Sequence, residues 1–85
     1  MRHKIERINQ YRVKYLNISP GDVLEDDGKF FIAHSKRGIY CSECAFHEEP
    51  GYCLVNIDGG TGDKICQTKH GSLIFKDLDK VLENL

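Results

Sequence analysis

Four cysteines, Cys41, Cys44, Cys53 and Cys66, all fall inside a 26-residue stretch of an 85-residue chain. That clustering limits what the rest of the chain can be. Only 40% of the residues are hydrophobic, cysteines included. Ordinary globular chains run at roughly 45–50% on a similar count. A domain this small also buries only about 60% of its unfolded surface. A lean core in a short chain calls for a staple, and the cysteine cluster is where a staple fits.

Cys41 and Cys44 form a C-x2-C pair, the knuckle that lets two thiolates grip one metal. Tetrahedral zinc then needs two further soft ligands, and Cys53 and Cys66 make up the number. His47 and His70 are spare ligands, and Cys41, Cys44 and His47 form a local triad by spacing alone. Structural zinc contributes roughly 10 kcal/mol of apparent binding energy. Zinc ribbons carry two such knuckles and this chain has one, so three arrangements stay open: a four-cysteine metal site, two disulfides, or buried free thiols. The start, Met1 to Arg7, is charged and no apolar run follows it. It therefore reads as no secretory signal, and a cytoplasmic location with reduced thiols is expected. No third residue can be argued to orient Cys44 and His47 as a nucleophile and base, so no enzyme is expected. No apolar run approaches the roughly 20 residues of a membrane span.

One domain is expected over residues 1–85: a basic segment at 1–18, a β-rich cysteine module at 19–76, and a short helix at 77–85. Ile5, Ile8, Tyr11 or Arg12, and Tyr15 fit a helical stripe, while Tyr11, Val13 and Tyr15 alternate as in a strand. The reading is a short helix or irregular start, then a strand around 11–17. Ser19-Pro20-Gly21-Asp22 is a turn. Val23-Leu24-Glu25, the turn Asp26 to Lys29, and Phe30 to Ala33 make a β-hairpin, with Gly28 free to take a positive φ. Further strands are expected at Ile39–Cys41, Cys53–Ile57, Ile65–Cys66 and Leu73–Phe75. Leu78, Val81, Leu82 and Leu85 form an i, i+3, i+4, i+7 stripe with Asp77 placed to cap it. The fold class is α+β and β-rich: a small antiparallel sheet, a cysteine-stapled loop and a short C-terminal helix.

Charge is uneven. Residues 1–14 hold five bases and one acid, and residues 15–85 hold seven bases and twelve acids. Arg7, Arg12 and Lys14 are the candidates in that basic segment to meet an anion, against the plainer reading of a solvated face. Phe30 and Phe31 are adjacent and so point to opposite faces of their strand. One of them needs cover from outside the main core, or forms a binding surface. Phe31 is taken as the ligand-binding one. Gly59, Gly60 and Thr61 lie in a glycine-rich turn that can form a backbone nest for an anion, although the P-loop pattern is absent and Asp58 and Asp63 flank it. The acids Glu25, Asp26 and Asp27 read as a solvated turn, since calcium-loop spacing is missing.

Gly21-Asp22-Val23-Leu24-Glu25, Asp27-Gly28-Lys29-Phe30-Phe31, the Cys41-x2-Cys44-Ala45-Phe46 knuckle, Cys53, Cys66 and Gly71-Ser72-Leu73-Ile74-Phe75-Lys76 together resemble the small cysteine-rich accessory proteins of phages and prophages of gut bacteria. The likeness covers roughly residues 20–76. The Cys53–Cys66 spacing is longer than in that pattern, and His70-Gly71 stands where Asp-Gly is usual. The resemblance implies an accessory protein in the cytoplasm of an infected bacterium, one that blocks host defence by sequestering a nucleotide signal or occluding a protein. The expected partners are therefore a small anionic ligand or a host defence protein. A homo-oligomer would give a pocket that so short a monomer lacks. The alternative is a zinc-stabilised module that binds a host protein or nucleic acid.

Overall fold

The computed structural model describes residues 1–35, 43–48, 53–57, 62–68 and 71–83. The hairpin is where the sequence places it. β3 (Val23–Asp26) and β4 (Lys29–Ser35) pair antiparallel, with Asp26 opposite Lys29. Only Asp27 and Gly28 lie between those partners, and both have positive φ, 51° and 83°. That is the two-residue turn whose twist matches the strands it joins, and Asp-Gly is among the few pairs that tolerate it. The preceding turn is equally local. Gly21 sits at φ 92° after Pro20, and the Asp22 N–H donates to the Ser19 carbonyl at 3.1 Å. Proline followed by a positive-φ glycine is the signature of such a turn.

β4 passes its other edge to β7 (Gly71–Asp77), which carries β6 (Gln67–Thr68) at the far side. β1 (Arg2–Lys4) closes the opposite edge against β3, giving the order β1-β3-β4-β7-β6. β1 pairs in parallel. Parallel neighbours need a long crossover, and here the 18 residues from Ile5 to Asp22 provide it. The helical or irregular start expected from the sequence is thus corrected to a strand followed by that crossover. The expected strand at 11–17 shrinks to β2 (Arg12–Val13), which pairs in parallel with β5 (Val55–Asn56) as a separate two-stranded sheet. Ile65 and Cys66 lie in a turn just before β6 rather than in a strand. The strand expected at Ile39–Cys41 falls outside the described residues.

One face of the sheet carries Leu24 opposite Phe31 and Ala33 opposite Phe75, all buried. Short helix α1 (Ala45–Glu48) places Phe46 on that face. Its ring centroid lies 4.7 Å from that of Phe31 and 5.1 Å from that of Phe75, in tilted and edge-on geometries. Such aromatic pairs contribute about 0.5–1.5 kcal/mol beyond the area they bury. Val13, Ile18, Leu54 and Ile65 complete the cluster from the segments outside the large sheet. α2 (Leu78–Glu83) packs on β4 and β7. Asp77 Oδ1 accepts from the N–H of Asp79 at 3.0 Å and of Lys80 at 3.4 Å, the cap the sequence predicts. The apolar stripe buries less than expected, since no described residue of α2 is buried and Leu82 is 56% exposed. Among the described residues no helix is long and apolar enough to cross a membrane.

Candidate functional site

The basic first segment and the acidic hairpin meet each other. β1 runs beside β3, so Arg2 reaches Glu25 (3.6 Å) and stacks its guanidinium 4.9 Å from the Phe30 ring centroid. His3 Nε2 lies 2.9 Å from Asp22 Oδ2, and the Met1 ammonium lies 2.9 Å from Asp22 Oδ1. Asp22 is buried, and the Ser19 N–H donates to the same Oδ2 at 2.9 Å. That backbone donor, then the ammonium, with His3 adding less, outweigh burial and hold the Asp22 carboxyl far below the usual range. Further along, Arg7 Nε donates to Asp26 Oδ1 at 3.0 Å, Nη2 to Asp26 Oδ2, and Nη1 to the Gln10 carbonyl at 2.9 Å. The hydrogen bond to Asp26 raises the Arg7 pKa against the opposing effect of burial, and the Asp26 and Asp27 charges add to the rise. Much of the positive charge near the start therefore complements acids of this same chain.

Two of the sequence-predicted ligand-binding residues come together. Arg7 and Phe31 both line a cavity of about 710 Å³ at the turn end of the hairpin. Phe31, Ala45 and Phe46 give it an apolar floor, while Asp26, Asp27 and Lys29 enter from the hairpin turn and Asp77 and Lys80 from the start of α2. Phe31 is 7% exposed and belongs to the core, so of the two phenylalanines it is Phe30 that needs cover from outside the core. The reason is α1: Phe46 covers the Phe31 face, while Phe30 on the other face is half-buried under Arg2. Arg12 and Lys14 are exposed and do not line the cavity, and Lys14 pairs with Glu6 at 3.1 Å. Gly59, Gly60 and Thr61 lie outside the described residues. The hydrogen bond from the Asn56 N–H to the Asp63 carbonyl, 2.7 Å, joins the two ends of the segment that contains them.

Sequence reasoning passed over Asp26, Asp27, Asp77 and Lys80 as site residues. The first two read as a solvated turn and Asp77 as a helix cap, which it also is. Nothing local marks them, because the cavity needs β4, β7 and α1 to be assembled first. It is also formed within a single chain, so no second subunit is required to create a concavity of ligand size.

Of the expected metal ligands, Cys41 lies outside the described residues. Cys44 is buried in the core, where its Sγ accepts from the Phe75 N–H at 3.4 Å. Cys44 and Cys53 carry free thiols, and Cys66 packs half-buried against the core. Among the described residues, no group of three or more histidine, cysteine or acidic side chains is gathered to hold a metal. A second, smaller cavity of about 460 Å³ lies between Tyr15–Ile18 and the β5 and β6 segments, lined by Asn56, Asp63 and Thr68. Comparisons with protein-family models, with curated proteins and with solved structures found no match for this chain.

Proposed function

We propose that this protein is a non-enzymatic accessory binding protein that captures a small ligand in the cavity between the hairpin turn, α1 and the start of α2. The observation that carries this reading is the cavity's construction. An apolar floor of Phe31, Ala45 and Phe46 lies under a rim of convergent charged groups. Binding sites for small organic molecules combine those two features, burying the ligand's flat or apolar part and fixing its orientation through a few polar contacts. A nucleotide has both parts, a planar base and a charged group. The resemblance of residues 20–76 to phage accessory proteins supports sequestration of such a signal.

The test is a thermal-shift titration of the purified chain against nucleotides that range from neutral nucleosides through monoanions to polyphosphates. A ligand at 100 times its Kd stabilises the folded state by about 2.7 kcal/mol. For a domain of this size that is a rise in Tm of roughly 10 °C or more. No shift with any member of the panel would remove nucleotide sequestration as the reading.

A further inference from the structure

The chemistry of the rim narrows the class of ligand, and this step rests on the cavity being the binding site. A guanidinium has five N–H donors. Arg7 uses three of them, two on the Asp26 carboxylate and one on the Gln10 carbonyl. One N–H remains on each terminal nitrogen. The fork to Asp26 fixes the plane of the guanidinium, and the side chain keeps 33% exposure where it lines the cavity. Arg7 is thus a held donor with two N–H groups left to give.

The acids on the rim set the limit on charge. Arg7, Lys29 and Lys80 are matched in number by Asp26, Asp27 and Asp77. Asp27, exposed at the turn, adds its negative charge to the field at Arg7. A polyphosphate needs an excess of positive potential to offset its own charge, and a balanced rim gives none. A single anionic group on the remaining Arg7 N–H groups meets the repulsion of Asp26 and Asp27 once, whereas a polyphosphate meets it with every charge it carries.

We propose that Arg7 is the recognition residue of the cavity, and that its ligand is a planar body carrying one anionic group, a phosphodiester or a carboxylate. The planar part lies over the apolar floor, the anionic group takes the two remaining Arg7 N–H groups, and Asp27 discriminates against higher charge.

Isothermal titration calorimetry of the full chain tests this with four probes: cyclic AMP as a planar phosphodiester, naphthoate as a planar carboxylate, adenosine as the neutral body and ATP as the polyanion. Cyclic AMP or naphthoate should bind at least about tenfold more tightly than adenosine and ATP, a gap of one decade in Kd. Which of the two binds identifies the anionic group. Arg7→Lys keeps the charge and loses the fork, and should weaken that binding about tenfold with the Tm little changed. Asp27→Asn puts Asn-Gly in a turn that favours it, so the variant folds, and it should tighten ATP binding. If ATP or adenosine binds as well as the monoanions, or Arg7→Lys binds unchanged, the assignment of ligand class falls while the cavity reading stands. If none of the four binds at concentrations of about 1 mM, both fall.

Discussion

The five-stranded sheet and the smaller β2–β5 pair are held together by different means. In the large sheet, buried side chains face each other across neighbouring strands, Leu24 with Phe31 and Ala33 with Phe75, and Phe46 locks the face from above. In the small pair each strand has two residues, and backbone hydrogen bonds join them. Val13 is the one buried apolar side chain of the pair, and polar side chains brace the flanking segments. Buried Asn56 accepts from the Leu16 N–H at 3.2 Å, although the two lie 40 residues apart. Asn9 Oδ1 accepts from the N–H groups of Tyr11 and Arg12 to shape the turn before β2. Apolar packing scales with area and tolerates small shifts, whereas a buried amide is stabilising only while its partner stays in place. The large sheet should therefore carry the global stability, and the small pair should open locally.

The sharpest attack on that contrast is Phe46→Ala. Removing a buried phenylalanine typically costs about 3–5 kcal/mol. Here it also uncovers Phe31 and Phe75 and deepens the cavity floor. Chemical denaturation should show a loss in that range, a large part of the roughly 5–15 kcal/mol that holds a domain of ordinary stability. A loss below about 1 kcal/mol would mean that α1 is not a working part of the core.

Asp22 comes next, because it ties β1 to the turn before β3. Asp22→Asn leaves His3 and the Met1 ammonium facing a neutral amide, and should cost about 1.5–3 kcal/mol at neutral pH, as for hydrogen bonds to charged groups. The sign with pH follows from the depressed carboxyl. The folded state holds Asp22 ionised at a pH where the unfolded chain already binds a proton, so the contribution is complete above the unfolded value of about 3.9. It is lost as pH falls from about 5 through that value and on toward the lower folded one. Urea melts of the parent chain and the variant should therefore differ most at neutral pH and converge on acidification. A constant gap across that window would mean that the contribution is not electrostatic.

These contrasts also explain what was legible in the sequence. The Pro-Gly turn, the Asp-Gly hairpin and the Asp77 cap each depend on residues within four positions of one another, and all three are where local chemistry puts them. β1 and β2 depend on partners elsewhere in the chain. The stripe through Ile5, Ile8 and Tyr15 therefore suggested a helix, but parallel pairing with β3 and docking of Ile5 in the core override it. The site was half legible for the same reason. Arg7 stood out by charge and Phe31 by its adjacency to Phe30. The Asp26-Asp27 pair and the Asp77–Lys80 pair, each local in itself, came together with Arg7 only through tertiary assembly.

Asn56→Ala probes the small pair directly. It should cost about 1–3 kcal/mol, since the backbone groups of Leu16 lose their partner where they are part-buried. The location of the loss matters more than its size. Hydrogen exchange should speed at Leu16 and along β2 and β5, while amides of β4 and β7 keep the protection of global unfolding. Uniform acceleration across both sheets would join them into one cooperative unit and end the contrast.

The smallest effect is expected at Asp77, where fold and site overlap. α2 has six residues, none of them buried, so its N-terminal cap is a large share of what holds it. Asp77→Ala should cost about 1 kcal/mol, the usual loss for an N-cap, and it should appear as fraying of Leu78–Glu83 rather than as weakening of β7. Asp77→Asn keeps the capping oxygen and removes the charge from the cavity rim. The two variants separate the roles: a change in ligand affinity shared by both reports the charge, and one confined to the alanine variant reports the position of α2. If the asparagine variant frays as much as the alanine variant, the cap is electrostatic, and the interaction of the carboxylate with the positive end of the helix replaces the hydrogen bond as its cause.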